Sequence, residues 1–113
     1  MTEMAERIAA YDWNAIRQSL DARGWAGLPA LLSHDECETI AALYGPTNLF
    51  RSHVVMARHG FGKGEYRYFS YTLPDIVQTL REAFYPRLVP VANRWHERMN
   101  IETRFPDTHP AFL

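Results

Sequence analysis

Arg58, His59, Lys63 and Arg67 fall within ten positions of one another and interleave with Tyr66 and Tyr68. Guanidinium, imidazole and ammonium groups pair with phosphate oxygens, and a tyrosine face stacks a nucleobase. These residue types in this order therefore suit a nucleic-acid strand. The same tyrosines equally suit ordinary cross-strand packing in a hairpin. Charge is distributed to match the first use. Residues 51–71 carry Arg51, Arg58, Lys63 and Arg67 against Glu65, a local balance of +3. Residues 1–50 carry three Arg against seven acids, −4, and residues 72–113 carry five of each. A basic patch can thus meet an anionic partner although the whole chain is at −1.

Other constellations are weaker. His34, Glu36, His96 and Arg104 stand in the order of a two-histidine, one-carboxylate iron site with an arginine for a co-substrate carboxylate, which would make a complete metal enzyme of the chain. Ser33 and Glu36, however, form a helix capping box, which uses the carboxylate. His96 lies in a helical stretch, so this set is set aside. The glycines of His59-Gly60-Phe61-Gly62-Lys63-Gly64 lack the spacing of a phosphate loop and precede no helix; they read as a turn needing positive φ. Cys37 has His34 one turn earlier, but falls on an apolar stripe where a free thiol acts as a small hydrophobe.

The elements that must position these groups can be read from the pattern. Asp12 predicts an N-cap for a helix carrying Trp13, Ile16 and Leu20 and closed by Gly24. Trp25 to Leu32, interrupted by Pro29, predicts a strand or extended segment. Ser33 to Tyr44 predicts a helix whose buried stripe is Cys37, Ile40, Ala41 and Tyr44, ended by Gly45-Pro46. Val54 to Met56 and Glu65 to Tyr71 predict two strands around the glycine turn. The second places Tyr66, Tyr68 and Ser70 on one face and Arg67, Phe69 and Tyr71 on the other. Pro74 opens a helix along Ile76, Leu80, Ala83 and Phe84; Pro86 is expected to kink or break it before Leu88, Val91, Ala92, Trp95 and Met99. Phe105-Pro106-Asp107 predicts a last helix start. Trp13, Trp25 and Trp95 are expected in the core.

At 113 residues the chain allows one domain with a modest core, and 47% apolar with 22% charged residues excludes disorder. No apolar run approaches the ~20 residues of a membrane helix. The N-terminus has no apolar signal core, and the lone Cys37 permits no internal disulfide. A cytoplasmic chain without a membrane partner is therefore expected.

The tract from Phe50 to Trp95, with Val54-Val55-Met56-Ala57-Arg58-His59-Gly60-Phe61-Gly62, Glu65-Tyr66-Arg67-Tyr68-Phe69 and Ala92-Asn93-Arg94-Trp95, resembles the N-terminal part of a family of bacterial oxygenases. The family is dependent on 2-oxoglutarate and Fe(II), related to prolyl-4-hydroxylase-like and AlkB-type enzymes, and described as acting in oxidative demethylation of damaged nucleic acid. The stretches Gly24 to Cys37 and Arg104 to Leu113 are similar too. The resemblance implies an α+β fold: N-terminal helices and a β-hairpin packed on a double-stranded β-helix, or jelly-roll, core. It implies that residues 1–113 form a single partial domain and that Fe(II) and 2-oxoglutarate serve the longer relatives. The iron triad has no counterpart here, so no metal or catalytic residue carries over. The implied partners are the jelly-roll core and nucleic acid. The implied substrate-binding set is Arg58, His59, Lys63, Tyr66, Arg67 and Tyr68. A chain alone in this form is expected to be inactive and to expose apolar faces. The alternative is a stand-alone nucleic-acid-binding or scaffold module using the same hairpin.

Overall fold

The computed structural model describes residues 3–60 and 62–112, with the side chains of Thr47 and His59 outside that description. Phe61 and Leu113, which the sequence placed in the turn and at the apolar end, also lie outside it. The order of elements is α1 (Glu3–Ala9), α2 (Trp13–Arg23), α3 (His34–Ala42), β1 (Phe50–Val55), β2 (Glu65–Phe69), α4 (Asp75–Arg98) and α5 (His109–Phe112). Short 3-10 turns, Thr47–Leu49 and Met56–His59, flank β1. The mixture of helices with one two-stranded antiparallel hairpin is α+β, as expected. No helix among the described residues is long and apolar enough to cross a membrane.

The chain divides into two compact units, Met1–Leu31 with Val77–Leu113, and Leu32–Ile76. In the first, Met4, Ile8, Trp13, Ile16, Val89 and Val91 are buried. The Asp12 carboxylate accepts from the Ala15 N–H at 3.1 Å, and Gly24, at φ 79°, takes the left-handed turn that ends α2. The Trp13 indole N–H donates to the Ile8 carbonyl at 2.7 Å, fixing the corner between α1 and α2. Met4 and Ile8, one turn apart, give α1 its buried side; this short helix was not predicted.

Two polar clamps hold α4 in this unit. Asp21 on α2 accepts both Arg94 contacts at 2.9 and 2.8 Å and the Trp95 indole N–H at 2.7 Å, with Arg98 at 3.9 Å. The Trp95 hydrogen bond, then that of Arg94, holds the Asp21 carboxyl below the usual aspartate range. The second clamp straps residues 101–106 onto α4. The Asn93 amide donates to the Phe105 carbonyl at 3.1 Å and accepts the Phe105 N–H at 2.7 Å. Tyr85 Oη donates to the Pro106 carbonyl at 2.8 Å, and His96 Nδ1 lies 2.8 Å from the Thr103 carbonyl.

Several expectations are corrected. α4 runs unbroken through Pro86 and Pro90. Each proline removes one helical N–H, but both sit on the exposed side, where water can reach the freed carbonyls, while Val89 and Val91 are buried. Trp25 is 60% exposed rather than core, held outside α2 by the Arg23 guanidinium 5.0 Å over its ring. Trp25 to Leu32 forms no strand; its carbonyls are instead taken by side chains, that of Trp25 by Ser19 and those of Pro29 and Leu31 by Tyr11 and Arg7. The last helix starts at His109, two residues after Asp107.

In the second unit the Ser33 and Glu36 capping box is complete, its two bonds at 3.1 and 2.9 Å. The α3 stripe, by contrast, is not buried: α3 contains no buried residue, Cys37 is exposed, and Tyr44 is 39% exposed. Helical spacing shows which residues share a side, but not whether anything covers that side.

Candidate nucleic-acid interface

The hairpin register pairs Phe50 with Phe69, Ser52 with Tyr68, His53 with Arg67, Val54 with Tyr66 and Val55 with Glu65. The irregularity between Phe50 and Ser52 leaves Arg51 unpaired as a bulge. The Met56 N–H to Gly64 carbonyl bond, 2.7 Å, closes the loop, and Gly60 and Gly62 take the positive φ values of 74° and 115° that a side chain would resist.

Alternation then sorts the side chains. On one face Phe69 stacks on Phe50 with centroids 5.1 Å apart. Beside them the Arg67 guanidinium lies 4.6 Å from the Tyr44 ring and 5.3 Å from Phe50. Arg67 also donates to the Tyr44 carbonyl at 2.6 Å and reaches the Gly45 carbonyl at 3.4 Å, while its Nε is buried without a partner. Glu65 completes this face. It accepts the Tyr44 hydroxyl at Oε1 and faces His53 Nε2 at Oε2, each at 3.0 Å. The His53 bond first, then that of Tyr44, lowers the Glu65 pKa. Partial burial, then Glu65, raises that of Tyr44.

The opposite face is left to the solvent. Tyr66 and Tyr68 meet edge to face at 5.4 Å and are 41% and 49% exposed. The bulged Arg51 sets its guanidinium 5.7 Å from the Tyr68 ring and 5.9 Å from that of Tyr71, which is 65% exposed. A hollow of about 140 Å³ along β1 belongs mainly to the first face, lined by Phe50, His53 and Arg67 there and by Arg51 and Ser52. The solvent face is an aromatic surface with a cation laid across it, chemically suited to stacked bases and a phosphodiester.

Of the predicted site residues, the structure brings Tyr66 and Tyr68 together and sends Arg67 to the far face as a strut under Tyr44. Arg58 and Lys63 are exposed, on the 3-10 turn and near the loop tip, apart from the tyrosine pair in the ladder. The His59 side chain lies outside the described residues. Sequence reasoning missed Arg51 and Tyr71. Arg51 was counted among the basic residues, but its face depends on a bulge that alternation does not reveal. Tyr71 was assigned to the Arg67 face, yet β2 ends at Phe69 and alternation ends with it.

The residues set aside as iron ligands do not fit one. Glu36 is engaged in its cap, His34 pairs with Glu38 at 3.0 Å, and His96 faces Thr103. Arg104 donates to the Thr103 carbonyl at 3.0 Å. No group of three His, Cys, Asp or Glu side chains able to hold a metal stands together among the described residues. No step through iron or 2-oxoglutarate is therefore derived for this chain.

Comparison with curated proteins and with solved structures returned no match. Residues 64–113, a little under half of the chain, match the sequence model of a family described as an oxygenase catalysing oxidative methylation of damaged DNA. That stretch takes in β2 with Tyr66 and Tyr68, Tyr71 beyond it, and α4 with Asn93, Arg94 and Trp95; over these residues the chain is similar to an oxygenase of damaged DNA.

Proposed function

We propose that these residues form the strand-gripping, non-chemical part of a 2-oxoglutarate- and Fe(II)-dependent oxygenase acting on alkylated nucleic acid. The iron ligands would come from polypeptide other than these residues, in the manner of the jelly-roll core that the resemblance implies. When bound there, the cofactors supply oxidation of a C–H bond. What this chain supplies is a place for the strand. The observation that carries the reading is the Arg51 guanidinium spanning Tyr68 and Tyr71, with Tyr66 edge-on to Tyr68 and all three rings exposed. The exposed rings on that face can stack bases, while the Arg51 guanidinium laid over two of them can donate to a phosphate.

The test is fluorescence anisotropy of a labelled single-stranded oligonucleotide titrated with the whole chain at several salt concentrations. A stacked base contributes about 1–3 kcal/mol, so Tyr68→Ala is expected to weaken binding at least about fivefold. Arg51→Ala is expected to weaken it and to flatten the salt dependence. Equal binding by both variants and the unaltered chain would remove the hairpin from the interface. Incubation with Fe(II) and 2-oxoglutarate is expected to yield no succinate; stoichiometric succinate would overturn the assignment of a non-chemical role.

A further inference from the structure

The ring-bearing face of the hairpin already holds a positive charge. The Arg51 guanidinium lies 5.7 Å from the Tyr68 ring and 5.9 Å from that of Tyr71. Among the described residues it has no carboxylate partner. Glu65, the one acid in the two strands, is turned to the other face, where it accepts from Tyr44 and meets His53. The electron-rich face of an aromatic ring attracts a cation, and here Arg51 takes that attraction. β1 and β2 hold no Asn or Gln, the side chains that pair by two hydrogen bonds with adenine. Stacking on tyrosine tolerates any base, because every base has a π face. What a cation-covered ring does distinguish is charge.

Alkylation changes the charge of some bases and not of others. A methyl group on a ring nitrogen, as in 1-methyladenine, turns the nitrogen lone pair into a bond and leaves the base cationic at neutral pH. A methyl group on the exocyclic amine leaves it neutral. A cationic base stacked on these tyrosines meets the like charge of Arg51. Two unit charges about 6 Å apart in water repel enough to weaken binding about threefold. A neutral base meets no such repulsion, and the phosphate beside it gains Arg51 as a donor. We propose that the Tyr68 and Tyr71 face selects uncharged bases, so that the hairpin holds undamaged nucleotides beside an alkylated base and leaves the cationic lesion to another surface. The inference rests on the reading of the hairpin as a strand-binding face and adds which nucleotides that face takes.

The experiment uses the whole chain and short single strands that are abasic at every position but one, so that a single base is offered for stacking. That base is adenine, adenine methylated on its exocyclic amine, or 1-methyladenine; a fully abasic strand is the control. Fluorescence anisotropy at neutral pH gives the affinities. The two neutral bases are expected to bind alike, and 1-methyladenine about threefold more weakly. Arg51→Ala weakens every strand through its phosphates, but should bring 1-methyladenine level with the neutral bases or above them, since bare tyrosine rings attract a cation. Arg51→Lys returns a cation to the face and is expected to restore the original order. The proposal is overturned if the unaltered chain binds 1-methyladenine as tightly as adenine or more tightly, or if Arg51→Ala leaves the order unchanged. If the fully abasic strand binds as well as the other three, no base stacks on the rings, and the reading of a base-stacking face falls with the proposal. A preference for 1-methyladenine over both adenine and the abasic strand overturns the proposal alone.

Discussion

Replacing Asn93 by alanine should loosen the segment of residues 101–106 from α4 without touching the apolar core. Asn93 gives Phe105 both a donor and an acceptor, at 3.1 and 2.7 Å, and both bonds are partly buried. Each contributes about 1 kcal/mol net, and the Phe105 N–H and carbonyl left behind cost more than that where water cannot reach them. The sum for Asn93→Ala is about 2–3 kcal/mol, or about 10 °C in Tm for a chain of this size. Tyr85→Phe removes the Tyr85 bond to the Pro106 carbonyl and should cost about 1 kcal/mol. Because Phe105 and Pro106 are adjacent, the first loss frees part of what the second holds, so the double variant should lose less than the sum. Urea unfolding followed by circular dichroism gives the energies, and hydrogen exchange at the Phe105 amide locates them. A cost for Asn93→Ala below about 0.5 kcal/mol, or unchanged protection of that amide, would refute the strap.

Three further outcomes follow from the same geometry. Ser33→Ala removes the acceptor for the Glu36 N–H and should cost about 1 kcal/mol, seen as loss of helical signal from α3 before the rest. Pro86→Ala restores a helical N–H at an exposed position of α4 and should raise Tm, since an interior proline costs about 3 kcal/mol where it is not compensated; a lowered Tm would show that the ring itself is needed. The Glu65 pKa is lowered below the ordinary value of 4.5 by His53 and Tyr44, so between the two values the unfolded chain binds more protons and stability rises with pH. The hairpin should therefore hold above the unfolded value and loosen as acid takes the pH down through the folded one, read from the Tyr44 and Phe69 ring signals; Glu65→Gln should remove that acid step.

The sequence was most legible where one residue type serves one local purpose. Asp12, Gly24 and the pair Ser33 and Glu36 announce helix ends because their side chains, or the lack of one, satisfy backbone groups that nothing else can. The alternation of Tyr66 to Phe69 was legible for the same reason, each residue turning to the face opposite its neighbour. Legibility failed wherever the answer depended on a distant partner. Asp21 shows no sign in sequence of meeting residues 94, 95 and 98, and Arg67 none of reaching the carbonyl of Tyr44. Trp25 and the α3 stripe are apolar yet uncovered, and hydropathy alone cannot report cover. Arg51 was the costliest loss for the site, because a single bulge reverses the face on which a side chain appears.

The residues that carry the oxygenase resemblance divide by what they touch. Asn93 straps residues 101–106, Arg94 and Trp95 grip Asp21, Glu65 ties Tyr44 to His53, Arg67 supports Tyr44, and Phe69 stacks on Phe50. Every one of these has an internal structural reason to be what it is, so none of them is by itself a sign of chemistry. Tyr66, Tyr68 and Tyr71 differ. They stand in the same matched stretch, but their rings are exposed, Tyr66 and Tyr68 meet edge to face, and an exposed cation, Arg51, lies over Tyr68 and Tyr71. Three large aromatic side chains gain only part of their possible folding stability from such positions, because 41–65% of their surface stays in water. A ligand that covers them supplies the burial that the fold does not. The case for a strand-binding face therefore rests less on the +3 balance of residues 51–71 than on these uncovered rings.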